Sequence, residues 1–594
     1  MKILGINASH VATACVLIDG RLVSSVSEER LSRVKNQAGL PILATKEALR
    51  IAGVAPQEID LTVFGYKDPK VNTEFAAVPD IPEFVRTERK SNSWEKILKI
   101  AWELKEEILV KLPWSRNLYF PLISFFYSIF IDPRAEKKLL KDIEEKLGIS
   151  KERVIRIDHH LAHAYSTYFS APDYWKKEML ILTLDAMGDE TCATVSIGRK
   201  GKLRRISKTS AGNSIGDLYA FITAYLGMKM GEHEYKVMGL GPYANEKYVE
   251  KVYNKLKDLV WVKRDLTFGA KIHSHMFYKL LPKLLYRERF DNISGAIQRL
   301  TEELITEWVK RCIKNTGVSH LACGGGVFMN VKANQKILEL PEVKSFFVMP
   351  SCGDESTAVG AAYWGYEELR KKNRNFPRIK PLSDFYLGPE FSEKEIFKSL
   401  TAKIRKKYKI EIPQDMEKKI AKLLSQGKIV ARLDGRMEWG ARALGNRSIL
   451  AHPEKLEVIR TINDQIKSRD FWMPFAPAIM KERQDKYIVN PKKMWAPYMI
   501  ITFDSTGEGR EKFKAAMHQY DFTLRPQIVG KDWNPKYWKI LNEFEKLTGI
   551  GGVLNTSFNL HGYPIVCSPK DALDVFRNSG LEHLAIGSFL VSKN

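Results

Sequence analysis

Two distant segments of the chain repeat one pattern of apolar runs and polar turns. Residues 2–26 contain an apolar run, a polar turn, a second apolar run, a two-residue Asp-Gly turn and a third run, which is typical of three consecutive antiparallel strands. Residues 179–207 repeat this order, with Asp185 in the first turn. Because the unit occurs twice, the sequence predicts a duplicated α/β domain with a cleft between its halves.

Length and composition indicate that the chain holds more than this duplicated unit. It has 594 residues, of which 44% are hydrophobic and 28% charged, and this excludes wholesale disorder and favours several packed domains. Residues 86–148 alternate charged and bulky apolar residues at helical spacing, which predicts a helical insertion. A basic, proline-containing linker then divides the chain into domains at 1–375 and 376–594, the second opening with a helix over 390–406.

The net charge and the cysteines indicate which partners the protein binds and in which compartment it resides. The formal net charge of +24 favours anionic partners such as phosphate compounds, nucleic acid or acidic lipid. The six cysteines are far apart and form no CxxC pair, which disfavours a zinc ribbon or a disulfide framework and predicts a cytoplasmic protein. The uncharged window 117–131 is shorter than the ~20 residues of a spanning helix. Basic residues flank it, so peripheral contact with an anionic membrane is an alternative to packing against a neighbouring domain or subunit.

The segment DHHLAHA offers a first candidate site. His159 and His163 stand four residues apart and share one face if the segment is helical. With Asp185 and Asp354 they form a donor set that suits iron(II) or manganese, and zinc stays open. The alternatives are a surface or capping histidine cluster, and a helix N-cap role for Asp354.

A glycine triplet offers a second candidate site. Gly324, Gly325 and Gly326 follow a predicted strand and precede a predicted helix, where glycine lets backbone N–H groups approach an anionic or planar ligand. Together with nearby Asn330 they fit a nucleotide cleft, although a tight turn explains a glycine triplet equally well.

Six cations form a third candidate site in the C-terminal part of the chain. They lie in segments rich in glycine, proline and apolar residues, which is difficult to explain as a solvated helix face. Their side chains suit the binding of phosphoryl oxygens, and structural salt bridges would account for one or two of them. The six residues are Arg436, Arg442, Arg447, Lys467, Arg469 and Arg525.

Polar residues after a predicted strand near the C-terminus form the fourth candidate site. Asn555, Ser557 and Asn559 would contact a nucleobase, ribose or phosphate if they converge. A structural Asx or ST turn explains any one of them equally well.

Ten segments of the chain, in order and spacing, resemble the O-carbamoyltransferases of nodulation-factor and antibiotic tailoring. They read GINASH, SEERLSRVK, DHHLAHA, TLDAMGDE, EYKVMGLGPY, CGGGVFMN, GDESTAVGAA, GRMEWGARALGNRSIL, KSRDFWMPFAP and LNTSFNLHGYPIV. The resemblance implies an N-terminal domain of the actin-like ATPase superfamily, similar to the tRNA threonylcarbamoyl transferase. It also implies a C-terminal α/β domain similar to threonylcarbamoyl-AMP synthase.

The resemblance implies a reaction in two steps. The C-terminal domain would join carbamoyl phosphate to ATP, giving carbamoyl-adenylate and pyrophosphate. The N-terminal domain would then pass the carbamoyl group to a hydroxyl of a sugar, polyol or natural product and release AMP. The implied cofactors are ATP with magnesium and a second divalent metal, iron(II) before manganese or zinc.

The resemblance also implies roles for single residues. His159, His163, Asp185 and Asp354 would hold the metal, and the glycine triplet would line the nucleotide cleft. Arg442, Lys467 and Arg525 would hold the carbamoyl and phosphate groups. His10, in the early polar turn, is our candidate base for the acceptor hydroxyl, with a turn residue making backbone contacts as the alternative.

Four positions depart from the pattern of that family. Where the family usually has aspartate, proline, arginine and glutamate, this chain has, in the same order, Val11, Ala441, Met473 and Tyr563. We therefore expect an active enzyme with an altered site, and a nucleotide-binding module that has lost adenylate synthesis is an alternative. An RNA acceptor ranks below a small hydroxyl compound, because no RNA-binding motif accompanies the positive charge. DNA is not an expected partner, and a homodimer stays open.

Overall fold

The computed structural model describes residues 1–67, 132–467 and 469–593. Its first sheet has an antiparallel meander of three strands, which two further strands join in parallel. The strands are β1 (Lys2–Asn7), β2 (Thr13–Ile18), β3 (Arg21–Ser27), β4 (Leu61–Phe64) and β5 (Val154–Arg156). Their order across the sheet is β3-β2-β1-β4-β5.

The second sheet has the same construction. A meander of three antiparallel strands is joined by two further strands in parallel. In sequence, a separate two-stranded ribbon lies between the meander and these two strands. The strands are β6 (Met179–Gly188), β7 (Thr191–Arg199), β8 (Lys202–Ser210), the ribbon β9 (Val260–Val262) and β10 (Phe268–Ala270), β11 (His320–Gly324) and β12 (Ser345–Val348). The order β12-β11-β6-β7-β8 repeats that of the first sheet. The predicted duplication within an α/β fold is confirmed by these matching strand orders.

Two helices fill the space between these sheets, and small residues let them approach closely. The helices of this half are α1 (Glu28–Ser32), α2 (Ile42–Ala52), α3 (Asp132–Leu147), α4 (His159–Ser170), α5 (Ile215–Tyr225), α6 (Glu234–Leu240), α7 (Glu246–Leu256), α8 (Phe277–Leu284), α9 (Phe290–Thr316), α10 (Val331–Glu339) and α11 (Glu355–Lys372). A Cβ atom at Gly360 of α11 would lie only 1.7 Å from the carbonyl oxygen of Ala162 in α4. This contact brings the N-termini of both helices to one place.

The C-terminal half is an α/β unit around an eight-stranded sheet and a two-stranded ribbon. Its strands are β13 (Lys409–Glu411), β14 (Val430–Leu433), β15 (Arg447–Ala451), β16 (Ala476–Met480), the ribbon β17 (Phe503–Asp504) and β18 (Thr523–Leu524), β19 (Gln527–Val529), β20 (Gly552–Ser557), β21 (His583–Ile586) and β22 (Phe589–Ser592). The large sheet has the order β13-β22-β21-β14-β15-β20-β16-β19.

Eight α-helices and a π-helix are described in the C-terminal half. The α-helices are α12 (Glu393–Ser399), α13 (Ala402–Lys407), α14 (Met416–Ser425), α15 (Glu457–Arg460), α16 (Gln484–Tyr487), α17 (Gly507–Lys512), α18 (Pro535–Thr548) and α19 (Pro569–Arg577). The π-helix runs from Thr461 to Lys467. The single helix predicted over 390–406 is wrong, because Thr401 caps a second helix by accepting from the N–H of Ile404.

Several predictions concern residues that the structure describes only in part. The helical insertion predicted over 86–148 is described from residue 132, where α3 begins, and the apolar window 117–131 lies outside the described residues. No helix within the described ranges is both long and apolar enough to cross a membrane. The domain boundary at 375 and the likeness of the second domain to threonylcarbamoyl-AMP synthase stay predictions, and one buried core contains residues from both halves.

Candidate functional site

Four side chains predicted to bind a metal meet at the N-termini of α4 and α11. One ligand atom from each of His159, His163, Asp185 and Asp354 lies within 4.8 Å of all the others. Nε2 of His163 lies 3.0 Å from Nε2 of His159 and 3.1 Å from Oδ2 of Asp185. Oδ1 of Asp354 lies 3.7 Å from Nε2 of His159. We call these four residues the metal-ligand cluster.

Neighbouring side chains orient this cluster. Nδ1 of His163 forms a 3.1 Å hydrogen bond with the hydroxyl of Ser356, which leaves Nε2 directed at the other three ligands. The hydroxyl of Ser9 lies within hydrogen-bond distance of both Asp354 Oδ2 (2.9 Å) and Asn7 Oδ1 (2.6 Å). Contacts of this kind fix the ring and carboxylate orientations that metal ligands need.

The electrostatics of the cluster suit a cation. Burial lowers the pKa of His159, but a hydrogen bond and the charges of Asp185 and Asp354 outweigh it and raise the pKa to about 9. Burial would raise the pKa of Asp185, yet both histidines hold it well below its usual value. The two carboxylates favour protonated, positively charged imidazoles beside them. A divalent cation can supply this positive charge in place of the protons.

The simpler explanations for these residues do not fit. His163 is fully buried and His159 is 3% exposed, so they are not a surface pair. Asp354 stands at the N-cap position of α11, but its side chain makes no capping hydrogen bond. The cap of α4 is Asp158, which accepts from the N–H of Leu161, and His160 bonds Thr183 and Thr191 away from the cluster.

The glycine triplet packs closely against other protein atoms beside this site. A Cβ atom at Gly324 would meet the hydroxyl of Thr167, and one at Gly325 would lie 2.3 Å from the carbonyl oxygen of Leu184. Gly326 faces Asp185, whose Oδ1 would lie 3.0 Å from an added Cβ. Protein packing therefore requires glycine at the first two positions, and contact of the triplet with a nucleotide stays a prediction.

Asn330 has a structural role at the start of α10, and its predicted nucleotide contact stays a prediction. Its Oδ1 accepts from the N–H of Ala333 at the start of α10. Its amide exchanges two hydrogen bonds with the amide of Gln298, at 2.9 and 3.0 Å. Both ends of the amide are thus already bonded within the protein.

Four of the six predicted cations converge. Burial lowers the pKa of Arg525 well below its usual value, and the charges of Arg442 and Arg469 lower it further. Burial and the charge of Arg469 likewise lower the pKa of Lys467. We call Arg442, Lys467, Arg469 and Arg525 the cation cluster.

The cation cluster presents donors that the protein leaves free. The buried Nε atoms of Arg442, Arg469 and Arg525 have no hydrogen-bond partner among the described residues. Nζ of Lys467 donates to the hydroxyl of Ser557 and to Oδ1 of Asn559, both at 2.9 Å, so two of the predicted polar residues also reach this site. Buried, mutually repelling cations are costly unless an anion binds them, which makes this a candidate site for a polyanion.

Three predicted residues do not join the cation cluster. Arg436 donates to the carbonyl oxygens of Val23 and Leu387, both at 2.9 Å. Arg447 is fully buried and donates only to backbone carbonyls. Asn555 donates to Ala443 and Gln527. Carbonyl groups take up donors of both arginines, which agrees with the structural alternative for one or two of the six cations, and their contact with phosphate stays a prediction.

The two clusters share a wall at the start of α11. Glu355 follows the ligand Asp354, accepts a hydrogen bond from Ser351, and is one of the charges that act on Arg442. His10, the predicted base, lies close enough for its charge to lower the pKa of Glu355, which burial raises.

Several residues around this wall cannot be identified as functional from residue type and spacing alone. Ser9, Glu355 and Tyr235 were not singled out, although each lies inside a segment quoted for the resemblance. Tyr235 comes from the N-terminal half, and its charged neighbours include Arg469 and Arg442. The sequence therefore shows these residues within recognisable segments, but it does not show that they lie near the two clusters.

Comparisons with known proteins cover both halves. The family model "Carbamoyltransferase N-terminus" matches residues 2–363, and "Carbamoyltransferase C-terminus" matches residues 421–593. Nodulation protein NolNO of Sinorhizobium fredii is 28% identical over 98% of this chain and 79% of that protein. Nodulation protein NolO of Bradyrhizobium diazoefficiens is 30% identical over 74% of this chain and 79% of that protein. Among solved structures, component A of Acidaminococcus fermentans (R)-2-hydroxyglutaryl-CoA dehydratase matches 62% of this chain and 98% of that chain, with 13% identity and a TM-score of 0.32.

Proposed function

The chain belongs to the carbamoyltransferase family, and we propose that it is an ATP-dependent O-carbamoyltransferase that works in two linked half-reactions. In the first, carbamoyl phosphate takes up water and gives carbamate and orthophosphate. A carbamate oxygen then attacks the α-phosphorus of ATP, which forms carbamoyl-adenylate and expels pyrophosphate. In the second half-reaction an acceptor hydroxyl attacks the carbamoyl carbon, AMP leaves, and the hydroxyl proton passes to a base.

The observation that carries this proposal is the cation cluster, in which three guanidinium Nε–H donors have no partner among the described residues. Carbamoyl phosphate and ATP are both polyanions, so a site that brings them together must first suppress their repulsion. Three half-buried arginines, whose buried Nε atoms have no partner among the described residues, supply donors fixed before the substrates arrive. Lys467, held by Ser557 and Asn559, adds a fourth positive charge.

The second half-reaction is proposed at the metal-ligand cluster. His159, His163, Asp185 and Asp354 would hold a divalent metal, with iron(II) as our first choice and manganese or zinc as alternatives. A metal bound there would act as a Lewis acid toward an acyl or phosphoryl oxygen. His10 borders a cavity of about 230 Å³ and would accept the proton of the acceptor hydroxyl.

Pyrophosphate release tests the proposal directly. Purified protein should release pyrophosphate from ATP only when carbamoyl phosphate is present, in reactions supplied with magnesium and with iron(II), manganese or zinc. A sugar or polyol acceptor should then gain one carbamoyl group by mass spectrometry, with release of AMP. ATP binding without pyrophosphate under every metal condition would contradict adenylate synthesis and favour a nucleotide-binding module.

A further inference from the structure

Arg525 of the cation cluster lies between two short strands that belong to different sheets. The ribbon strand β18 (Thr523–Leu524) precedes it, and β19 (Gln527–Val529) of the large sheet follows it. The side chain of Gln527 fixes the second strand, because its amide donates to the carbonyl oxygen of Leu444 at 2.9 Å. The position of the Arg525 guanidinium therefore also depends on the contacts that fix the first strand.

Helix α10 of the N-terminal half holds the ribbon that contains β18. Gln335 of this helix accepts a hydrogen bond from the hydroxyl of Thr502 at 2.8 Å and donates to Oδ1 of Asp504 at 3.0 Å. Asp504 lies opposite Thr523 in the ribbon. The first ribbon strand is thus bonded to a helix of the other half.

Lys332, one turn earlier in α10, holds the second ribbon strand directly. Its ammonium group donates to the hydroxyl of Thr523 at 2.6 Å and to Oδ2 of Asp521. Oδ1 of Asp521 accepts from the N–H and the hydroxyl of Thr523, at 3.0 and 2.9 Å. The side chain of Lys332 is only 14% exposed, so these contacts fix the backbone two residues before Arg525.

We propose that Lys332 is a positioning residue for carbamoyl activation, which sets the place of the Arg525 guanidinium by fixing β18. Lys332 contacts no substrate in this role and acts through Arg525. The cation cluster then reaches its binding geometry only while the two halves of the chain are in contact. This inference rests on the proposed function, since the anion that Arg525 would bind takes part in that reaction.

The alternative is an ion pair that only joins the two halves. Burial would raise the pKa of Asp521, but the charges of Lys332 and His518 hold it below its usual value, so the pair is ionised. Removing two charges from water offsets much of their attraction, and such a pair contributes little net stability. It does hold one geometry, and a donor aimed at a reacting anion loses much of its effect when it moves by about 1 Å.

The test compares Lys332→Met and Lys332→Arg with the control Lys336→Met. Lys336 lies one turn further along α10, is exposed and pairs with Glu339 at 3.1 Å. Pyrophosphate binding is measured by calorimetry, and pyrophosphate release from ATP is measured at varied carbamoyl phosphate. We expect Lys332→Met to weaken pyrophosphate binding about tenfold and to raise the KM for carbamoyl phosphate similarly, with a smaller change in kcat. Lys332→Arg keeps donors for both partners and should restore binding to within about threefold, whereas Lys336→Met should behave as the unsubstituted protein.

The same comparison in Arg525→Met protein separates positioning from general stabilisation. If Lys332 acts through Arg525, Lys332→Met should weaken pyrophosphate binding by less than about twofold when Arg525 has already been replaced. An equal loss in both backgrounds would overturn the inference, because Lys332 would then act on another group or on the whole fold. Unchanged pyrophosphate binding by a folded Lys332→Met protein would overturn it as well.

A smaller substitution keeps the test decisive if Lys332→Met does not fold. Thr523→Val removes one acceptor of Lys332, keeps the ion pair with Asp521, and should weaken pyrophosphate binding only in protein that retains Arg525. If the unsubstituted protein binds pyrophosphate but releases none from ATP and carbamoyl phosphate, the proposed function fails, while the binding comparison still decides the role of Lys332. Absence of pyrophosphate binding would overturn the inference, because Arg525 would then have no anion to hold.

Discussion

Asp354 and Glu355 are consecutive residues whose carboxylates face two different sites. Oδ1 of Asp354 lies 3.7 Å from Nε2 of His159, whereas Glu355 bonds Ser351 and its charge acts on Arg442. The N-terminus of α11 is therefore a wall of both the metal-ligand cluster and the cation cluster. Because adjacent residues of this wall serve different clusters, substitutions on either side should separate the two half-reactions.

Loss of one guanidinium from the cation cluster should stop adenylate formation. We expect Arg442→Met to lower pyrophosphate release by about 10²- to 10³-fold, as expected for one preorganised donor at a charged transition state. Arg460→Met is the matched control, because Arg460 is 89% exposed and pairs only with Asp464 in the described part of the chain. Equal activity of the two variants would refute the assignment of Arg442.

Loss of one imidazole from the metal-ligand cluster should stop carbamoyl transfer and leave adenylate formation nearly unchanged. His163→Ala should keep pyrophosphate release within about threefold, since no cation-cluster residue changes, while carbamoyl transfer is lost. Metal content measured by mass spectrometry should fall in His163→Ala but not in the control His320→Ala, which alters a histidine at the start of β11. If His163→Ala retains full metal content, the proposed ligand set is incorrect.

The ligand-free protein should become more stable when a cation is removed. Arg525 is half-buried, and the charges of Arg442 and Arg469 act on it, so Arg525→Met should raise the free energy of unfolding by about 1 to 2 kcal/mol. Pyrophosphate should raise the thermal midpoint of the unsubstituted protein, by mass action, and should do so much less in Arg525→Met. Thermal unfolding with and without pyrophosphate measures both effects, and a less stable Arg525→Met protein would argue against an unpaired charge.

Gly325 should tolerate no side chain. Its φ is +98°, and a Cβ atom would lie 2.3 Å from the carbonyl oxygen of Leu184, next to the ligand Asp185. Strain and overlap together should lower the free energy of unfolding by about 3 kcal/mol or more in Gly325→Ala. Gly53→Ala, at φ +63° with open space around it, should cost about 1 kcal/mol. Chemical denaturation compares the two, and similar losses would show that the close approach at Gly325 is unimportant.

The protonation of His233 should make stability depend on pH. Burial and the charge of Lys236 lower its pKa to about 4, and its Nδ1 accepts a hydrogen bond from the N–H of Lys229. The unfolded chain binds a proton near pH 6.5 that the folded chain does not, so the free energy of unfolding should rise with pH between these two values. Between pH ~4.5 and ~7 the unsubstituted protein should gain about 1 kcal/mol more than His233→Asn, since solvent screening reduces the full effect. An identical pH dependence in both proteins would contradict this assignment.

Much of the local structure followed from the sequence. The two meanders and the strand before the glycine triplet lie close to their predicted positions, and the segment that begins at His159 is helical, as the shared face of His159 and His163 requires. These elements depend on local periodicity and turn residues, which a single sequence displays. The predicted helix over 390–406 failed because the capping hydroxyl of Thr401 starts a new helix within an uninterrupted pattern.

Function-bearing side chains were harder to assign one at a time. Arg442 and Arg447 lie in one glycine-rich segment with the same chemistry, yet one has a buried Nε without a partner among the described residues and the other donates to five carbonyl groups. Nothing in residue type or spacing distinguishes them. The difference arises from which backbone groups each guanidinium meets.

The sequence by itself determined the elements, the duplication and the kinds of chemical groups available, because strands, helices and turns respond to neighbours along the chain. Only the tertiary structure decided that Asp354 is directed at the histidines instead of capping its helix, and that four cations meet while two do not. Such choices depend on burial and on contacts between residues hundreds of positions apart, where a hydrogen-bond donor that finds a carbonyl oxygen is no longer free to bind a substrate.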